Sequence, residues 1–277
     1  MIKLSGDAIR HHLKTHTFGQ SVVYLEQTGS TNTELKQLAR SGAPEGLLYV
    51  ADEQLVGRGR LKRSWNAPAG SSLLFSLLFR PGAFLQPIQT QRLTMLCALA
   101  LAESIEELTG LTIKLKWPND LMADNGQKLC GILTEFELEG DRLSWVVVGL
   151  GLNVNVDFSR QTEPQPDSGL SLAQTAASLS MLLARDTGEL RLPLLQRCLE
   201  RVERRYQTLQ QGVSPQQEWQ ARLMGLGQPV VVTNVSSDER WEGVMVGVDA
   251  NGALRVQQAD GSIQTVLAGD VTLKRIS

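Results

Sequence analysis

The chain has 277 residues, 42% of them hydrophobic, which is enough to build one large domain with a full core and a smaller second one. Its 27 lysine and arginine residues nearly balance 29 aspartate and glutamate residues, so no overall basic field argues for binding to nucleic acid. Because the chain has neither an apolar run of about 18 residues nor an apolar N-terminal signal segment, we expect a cytoplasmic protein that does not enter the membrane.

Hydrophobic periodicity predicts the elements of the first part of the chain. In order they are a leader at residues 1–20 with a helical turn near Asp7 to Leu13, a strand at Ser21–Glu26, a helix stopped by Gly42, and strands at Gly46–Ala51 and Ser72–Phe79. Thr31 and Glu34 have the spacing of a capping box at the start of the helix. A polar, glycine-containing loop at residues 52–70 separates the last two strands.

The middle of the chain predicts a long helix followed by a β-meander. Apolar residues recur at helical spacing from Pro87 to Thr109, and Gly110 ends the helix. Alternating runs at 112–117, 128–139 and 143–152 predict three strands that pack on it. Pro118 ends the first of them, because proline cannot donate to a sheet ladder.

The last third predicts helices and then a separate β-rich unit. The helices are expected at 170–184, 189–211 and near Pro215 to Met224, after a loop at 158–169. Beyond Pro229, the dipeptides Asn251-Gly252 and Asp260-Gly261 indicate hairpins, so the tail predicts a small barrel. We therefore divide the chain into the leader, a domain at 21–225 and a domain at 227–277. The cysteines Cys97, Cys130 and Cys198 lie in apolar runs without the spacing of metal ligands, which favours buried free thiols.

Two segments carry groups suited to an anionic ligand. Lys128 opens a strand and faces Asn119 and Asp120 across a hairpin, although a lysine in that position is more often a solvated charge at a sheet edge. The loop contains Gly57 and Gly59, which let the backbone approach a ligand closely. It also places four cations within six residues, enough to hold a carboxylate and a triphosphate: Arg58, Arg60, Lys62 and Arg63. A solvated basic loop is the alternative, and the order of residues is not that of a P-loop.

A third segment, Ser30-Thr31-Asn32, lies at the predicted start of the first long helix. Ser or Thr at this place is ordinarily a helix cap, which stabilises by about 1 kcal/mol. A helix N-terminus also offers N–H donors to a carbonyl-like oxygen, so a role as helix cap does not exclude contact with a ligand.

Taken together, the motifs resemble those of the biotin protein ligases. In order they are STN at 30–32, Gln54, GRGR at 57–60 with Trp65 and Pro68, KWPND at 116–120, KLCGIL at 128–133 and GLGLNVN at 149–155. The resemblance implies an α+β fold: a class II synthetase-like catalytic domain, with a mixed or antiparallel sheet and flanking helices, followed by a C-terminal SH3-like β-barrel. It implies that biotin and ATP form biotinyl-5′-AMP with Mg²⁺ on the ATP phosphates. Biotin then passes to a lysine of the biotin carboxyl carrier protein of acetyl-CoA carboxylase.

The resemblance also assigns residues. It implies that Lys128 and Arg58 are catalytic, and that biotin is bound by Ser30, Thr31, Asn32, Gln54, Gly57, Arg58, Gly59, Arg60, Lys128, Gly131, Gly149 and Gly151. The nucleotide contacts it implies are Arg58, Arg60, Arg63, Trp65, Asn119, Lys128 and Asn153. No protein metal cage is expected. Asp120 is a candidate either to support a residue that contacts the ligand or to contact magnesium, and Lys274 or Arg275 is a candidate ATP contact. Trp65 is nearly as well explained as a core residue. Gly29 departs from the aspartate that many relatives carry before STN, which we interpret as a lost structural hydrogen bond.

The short leader cannot form a winged helix, so we expect a monofunctional ligase that does not bind DNA; the sequence leaves a homodimer open. Two rival functions remain. One is a lipoate or octanoate transferase, which shares the architecture and also acylates a carrier lysine. The other is a non-catalytic biotin sensor with the small barrel as its contact surface, but the retention of Lys128, Arg58 and Gln54 together argues against it.

Overall fold

A computed structural model describes residues 4–165, 169–234, 240–267 and 269–273. Its helices are α1 Gly6–Arg10, α2 Thr31–Arg40, α3 Gln91–Thr109, α4 Leu172–Thr175, α5 Leu179–Leu183, α6 Arg191–Gln210 and α7 Gln216–Ala221. The strands of the first sheet are β1 Val22–Thr28, β2 Leu48–Gln54, β3 Ser72–Phe79, β4 Ile113–Lys116, β5 Asp120–Ala123, β6 Lys128–Glu139 and β7 Arg142–Asn153. The second sheet contains β8 Pro229–Asn234, β9 Arg240–Val248, β10 Leu254–Gln257, β11 Ile263–Val266 and β12 Gly269–Leu273.

The first sheet has seven strands in the order β1-β2-β3-β7-β6-β5-β4. Strands β1 and β2 are parallel, and the other neighbours are antiparallel, so the sheet is mixed as predicted. Side chains alternate between its faces. Phe75 and Leu77 of β3 join the large core with α3 and α6, whereas Leu78 packs with Leu35 of α2 on the opposite face. The predicted α+β class with flanking helices is confirmed.

Several predicted elements were wrong in detail. The meander has a fourth strand, β5, because the chain reverses at Trp117-Pro118 and pairs at once with β4. The helix predicted at 170–184 is broken into α4 and α5, because Ala176 and Ala177 are extended and pair with Lys128 at the start of β6. The helix predicted from Pro87 begins with a 3₁₀ turn, and α3 starts only at Gln91.

The predicted capping box is also wrong. The N-cap of α2 is Ser30, and Thr31 is already the first helical residue. The Ser30 side chain makes no capping hydrogen bond to the helix. The Thr31 backbone N–H at this helix end instead donates to the side chain of Gln54 on β2.

The C-terminal strands form a five-stranded antiparallel sheet in the order β11-β10-β9-β8-β12. Both predicted hairpin glycines, Gly252 and Gly261, have positive φ of 88° and 85°. The core of this sheet is continuous with that of the first sheet, and Trp117 Nε1 donates to Gly252 O at 2.9 Å. The domain boundary at 225–227 stays a prediction.

The described part of the leader is attached to the first domain. Ile9 and Phe18 are buried in the core, and the Glu203 carboxylate on α6 accepts the backbone N–H groups of His16, Thr17 and Phe18. All three cysteines are buried free thiols, as predicted. Across the described ranges, none of the helices combines the length and the apolar character that a bilayer crossing requires.

Candidate functional site

A strip of bare backbone lies on the α2 face of the first sheet. In the strand register Ser76 of β3 is opposite Gly149 of β7, and Gly149 is opposite Leu133 of β6. In the adjacent row Gly151 and Gly131 are opposite each other. We call the three glycines at 131, 149 and 151 the glycine floor. Because these positions carry no Cβ, groups above them can approach the sheet to the distance of the backbone.

A β-bulge directs Lys128 toward this floor. Leu121 pairs with Cys130 but Met122 pairs with Lys128, so β6 has one extra residue at this point. In regular alternation Lys128 would share the face of buried Cys130. A Cβ built at Gly131 would instead lie 3.2 Å from the Lys128 Nζ. The bulge therefore moves the ammonium to the face of the glycine floor.

The lysine has a carboxylate partner at the same end of the floor. Lys128 Nζ lies 2.7 Å from Asp120 Oδ1, and the two side chains are 34% and 19% exposed. Asp120 is opposite Gly131 in the register, so the ion pair lies beside the floor. This confirms the hairpin juxtaposition of Lys128 and Asp120 that the sequence predicts. The half-exposed ammonium is close enough to solvent to meet an incoming anion.

The GRGR loop folds as a small hairpin over the floor. Trp65 N donates to Gly57 O at 2.9 Å, Gly59 N donates to Arg63 O at 2.7 Å, and Arg58 pairs with Ser64. A Cβ at Gly57 would stand 2.1 Å from Trp65 O, so this close backbone crossing requires glycine. The hairpin carries the indole of Trp65 onto the sheet.

Trp65 covers Gly131 and Gly151. A Cβ at Gly151 would lie 2.8 Å from the indole, and one at Gly131 would lie 3.1 Å from it. The Lys128 Nζ is 5.7 Å from the centroid of the ring, within cation–π range. The side chain is partly exposed and its buried Nε1 has no hydrogen-bond partner among the described residues. Trp65 is therefore a wall of the cleft and not a core residue.

The basic side chains of the hairpin occupy different positions. Arg58 is exposed, and its guanidinium makes no ion pair with any residue that the structure describes. Arg60 donates to Asn119 Oδ1 at 3.4 Å and to Gly269 O of the second sheet at 3.2 Å. Arg63 is exposed. Arg60 thus joins the hairpin, the turn after β4 and the C-terminal unit at one edge of the cleft.

Gln54 closes the N-terminus of α2. Its Oε1 accepts the Thr31 backbone N–H at 2.8 Å and the Thr31 hydroxyl at 3.1 Å. The amide nitrogen consequently faces the loop, where a Cβ at Gly57 would lie 3.3 Å from it. Ser30, Thr31 and Asn32 are each only 4% exposed. The Thr31 backbone N–H, one of the donors predicted for a ligand, is therefore satisfied by Gln54 in this structure.

Asn32 is held above Gly149. Its Nδ2 donates to Leu133 O at 3.0 Å and to Glu135 Oε2 at 2.9 Å, and its Oδ1 accepts from the Ser76 hydroxyl at 2.6 Å. Glu135 in turn forms an ion pair with Lys36 of α2. The sequence prediction missed Ser76, Glu135 and Lys36. A serine within the apolar run of β3 was the available signal for the first, whereas nothing local marks the other two.

The two predicted asparagines on the nucleotide side differ. Asn119 donates through Nδ2 to Ile132 O and receives Arg60, so it lies at the cleft edge. Asn153 is 3% exposed and donates to Ala177 O at 3.1 Å, so its amide hydrogen holds the segment that pairs with Lys128. Lys274 and Arg275 lie outside the described residues. No group of three potential acidic, histidine or cysteine ligands occurs within those described. Asp120 is the carboxylate beside Lys128.

Comparisons with known proteins identify relatives of this chain. Residues 24–153 match the biotin/lipoate A/B protein ligase family, and residues 225–274 match the biotin protein ligase C-terminal domain. The chain is 36% identical over 273 residues to the bifunctional ligase/repressor BirA of Bacillus subtilis, and the alignment covers 98% of this chain and 79% of the relative. It is 32% identical over 256 residues to a biotin–acetyl-CoA-carboxylase ligase of Paracoccus denitrificans, which covers 89% of this chain and 98% of that protein.

A solved structure extends the likeness to the fold. The biotin protein ligase from Aquifex aeolicus in complex with biotin and ATP has a TM-score of 0.71 to this chain at 27% identity. The alignment covers 92% of this chain and 99% of the other. On the sequence match and the shared fold, the chain belongs to the biotin protein ligase family and is a ligase enzyme.

Proposed function

We propose that this protein couples biotin to a lysine of the biotin carboxyl carrier protein of acetyl-CoA carboxylase, through biotinyl-5′-AMP. The observation that carries the proposal is the Lys128 ammonium, which the β6 bulge aims at the glycine floor beside the basic hairpin. The Trp65 indole covers Gly131 and Gly151 in this structure, so the compact bicyclic ring of biotin would take its place over these glycines, and the carboxylate tail would then point toward Lys128. The name of the Paracoccus relative supports the choice of carrier.

In the first step a biotin carboxylate oxygen attacks the α-phosphorus of ATP. A P–O bond forms to the acyl oxygen, the P–O bond to the β-phosphate breaks, and pyrophosphate leaves with the electron pair. Negative charge grows on the α-phosphoryl oxygens, where the cations of Lys128, Arg58 and Arg60 stabilise it. Mg²⁺ would reach this site on the ATP phosphates, with Asp120 as a candidate protein ligand, and would neutralise phosphate charge.

In the second step the ε-amine of the carrier lysine attacks the acyl carbon of the mixed anhydride. The new amide C–N bond forms, the C–O bond to AMP breaks, and the amine releases its proton to solvent. Trp65, Asn119 and Arg63 are proposed to contact the nucleotide, since Trp65 and Arg63 belong to the hairpin and Asn119 accepts from its Arg60. Thr31 and Gln54 are proposed to meet the ureido ring at the end of α2.

The test is incubation of the protein with biotin, Mg-ATP and an apo carrier domain, followed by intact mass measurement. A biotin-sized increment on the carrier that Lys128→Ala abolishes would support both the reaction and the site. Transfer of lipoate or octanoate in place of biotin would overturn the substrate. No transfer of any acyl group would leave a non-catalytic binding role.

We also propose that the chain acts as a ligase and not as a repressor, in the cytoplasm, where its buried thiols stay reduced. The Bacillus relative is named a bifunctional ligase/repressor, so this proposal separates the two proteins. The nearly balanced charge, 27 basic against 29 acidic residues, supports it. Fluorescence anisotropy with labelled duplex DNA, with and without biotin and ATP, checks it. Saturable binding that depends on the DNA sequence would contradict the proposal.

A further inference from the structure

A chain of polar contacts runs beneath the proposed ureido position and ends at an ion pair. It consists of Lys36, Glu135, Asn32, Ser76 and Thr31, which we call the polar relay. Lys36 and Glu135 are 16% and 27% exposed, so their ion pair is substantially buried, and Glu135 accepts from Asn32 at 2.9 Å. Ser76 lies within 2.6 Å of the Asn32 carboxamide oxygen and 2.8 Å of the Thr31 hydroxyl.

The relay has a fixed direction. An ionised carboxylate only accepts hydrogen bonds, so the NH₂ group of Asn32 must face Glu135. Its second hydrogen goes to Leu133 O, so neither hydrogen is left for a ligand. The carboxamide oxygen then faces Ser76, whose single hydroxyl hydrogen is drawn toward it.

The fixed order of donors and acceptors extends to Thr31, which faces the proposed ligand. With the Ser76 hydrogen committed to Asn32, the Ser76 oxygen accepts from the Thr31 hydroxyl, which then leaves the Thr31 backbone N–H as the donor from this residue to Gln54 Oε1. The Thr31 backbone N–H fixes the carboxamide oxygen of Gln54, and the Gln54 NH₂ group faces the loop. The wall therefore presents a defined set of donors and acceptors. An amide at position 135 can donate as well as accept, so Leu133 O would then be the remaining obligatory acceptor that opposes rotation of Asn32. Rotation would free the Ser76 hydrogen for Thr31, and the Thr31 hydroxyl would turn from Ser76 toward Gln54.

We propose that Glu135 and Lys36 are positioning residues that fix the hydrogen-bond polarity of the ureido pocket, and so its selectivity for a urea over an isosteric guanidine. Glu135 supplies the acceptor that orients Asn32, and Lys36 holds that carboxylate in place. The inference rests on the proposed function, which puts the ureido ring at the N-terminus of α2.

The chain contains a matched control pair. Arg40 and Glu137 form an ion pair at 2.6 Å between the same two elements, four residues along α2 and two along β6. Their side chains are 56% and 40% exposed, and Arg40 contacts Glu137 and the ring of Trp145, neither of which belongs to the relay. If a substitution acts only by weakening the packing of α2 on β6, variants of both ion pairs should show the same change in biotin selectivity. If it acts on the hydrogen-bond polarity of the pocket, only variants of Lys36 and Glu135 should change that selectivity.

The experiment compares Glu135→Gln and Lys36→Met with Glu137→Gln and Arg40→Met. Biotin-dependent ATP–pyrophosphate exchange is measured with biotin and with 2-iminobiotin, in which an imino group replaces the ureido oxygen. We expect Glu135→Gln to raise the KM for biotin about tenfold, the size of one hydrogen bond to a charged group. We expect kcat to stay within about twofold, because the relay binds the ring and not the reacting atoms.

The ratio of kcat/KM for biotin over iminobiotin is the deciding quantity. It should fall about tenfold in Glu135→Gln and in Lys36→Met, and stay unchanged in both control variants. The double variant Asn32→Asp/Glu135→Gln exchanges the acid and the amide, keeps an acceptor toward Ser76, and should recover part of the ratio. Equal ratios in Glu135→Gln and Glu137→Gln, with both proteins folded by thermal melting, would overturn the inference. Failure of the wild type and of Glu137→Gln to use biotin would instead overturn the proposed function.

Discussion

The side chain of Asn32 fills the space that a side chain at Gly149 would need. A Cβ built on Gly149 would stand 2.0 Å from the Asn32 carboxamide oxygen and 3.1 Å from the Ser76 hydroxyl oxygen. Asn32 is tied to Ser76, Leu133 and Glu135, so it cannot retreat without losing those hydrogen bonds. The start of α2 therefore touches β7 because position 149 has no side chain.

Gly149→Ala should both destabilise the fold and damage biotin binding. Insertion of a methyl group against a fixed amide is overpacking, and we expect the free energy of unfolding to fall by about 1–3 kcal/mol. Urea denaturation measures that fall, and isothermal titration with biotin measures the loss of affinity. Gly6→Ala is the control, since the nearest atom to its added Cβ lies 3.5 Å away at the tip of the Arg10 side chain. Equal urea midpoints for the two variants would refute the packing argument.

Local periodicity predicts individual strands of this fold well. The eight residues of β3 were predicted with their observed bounds, because a run of apolar residues between turn signals is a property of the chain itself. The sequence analysis missed β5, since a strand of four residues carries little periodicity and is recruited by pairing with β4 and β6. The break between α4 and α5 has the same origin, because Ala176 pairs with a strand far away in sequence.

In the site, too, the sequence identifies the motifs, but contacts between distant parts of the chain decide where their side chains point. The motif containing Lys128 is visible in the sequence, but the direction of its side chain depends on a bulge that only the pairing with β5 creates. The polar character of Thr31 and Asn32 is equally visible. Their partners Gln54, Ser76 and Glu135 come from three different strands, so no spacing along the chain predicts them.

Lys128→Ala should slow the chemical step far more than it destabilises the fold. Removal of a cation that stabilises a developing oxyanion costs about 10²–10³-fold in rate. The ion pair with Asp120 is partly buried, with side chains 34% and 19% exposed, so its loss leaves the carboxylate without its cation and the free energy of unfolding should fall by about 1–3 kcal/mol. Biotin-dependent pyrophosphate exchange gives the rate, and thermal melting gives the stability.

Lys114→Ala is the matched control for that variant. Lys114 lies on the edge strand β4 opposite Met122, away from the glycine floor, and is similarly half-exposed. Its removal should leave exchange unchanged. If Lys114→Ala and Lys128→Ala lowered the exchange rate equally, the catalytic assignment of Lys128 would have to be abandoned.

Arg191→Met should strongly destabilise the fold, because Arg191 belongs to a buried ion pair. Arg191 and Asp52 form an ion pair with side chains 11% and 14% exposed, and Arg191 Nε also donates to Ser72 O at 2.9 Å. Removal of the guanidinium leaves the Asp52 carboxylate with Tyr24 as its remaining side-chain partner. Loss of one member of a buried pair costs about 3–5 kcal/mol, which urea denaturation would record.

Two further variants isolate the buried charge in that prediction. Arg185→Met removes one member of an exposed pair with Glu189, 51% and 50% exposed, and should cost less than about 1 kcal/mol. Asp52→Asn combined with Arg191→Met removes the stranded charge and should be more stable than Arg191→Met alone. If the double variant is less stable than Arg191→Met alone, the unpaired Asp52 charge is not the cause of the destabilisation.

Stability should fall at alkaline pH through the buried thiol of Cys198. Burial raises the pKa of Cys198 to about 12, against the opposing effect of Arg201. An unfolded thiol ionises near pH ~8.5, so below that pH both states are protonated and no stability is lost. Between that pH and about 12 the unfolded chain releases a proton that the folded chain retains, so the free energy of unfolding decreases as pH rises. At pH 10 the loss from this group is about 2 kcal/mol.

The Cys198→Ala variant separates this contribution from those of other alkaline groups. It should lose about 2 kcal/mol less than the wild type between pH 7.5 and pH 10 in urea denaturation, because the ionisable group is gone. Leu195→Val, on the same buried face of α6, is the control: it removes packing of about 1 kcal/mol at every pH and should leave the pH slope unchanged. Parallel slopes for Cys198→Ala and the wild type would mean that the thiol ionises in the folded protein as easily as in the unfolded chain. Burial of Cys198 in the core between α3 and α6 predicts the opposite.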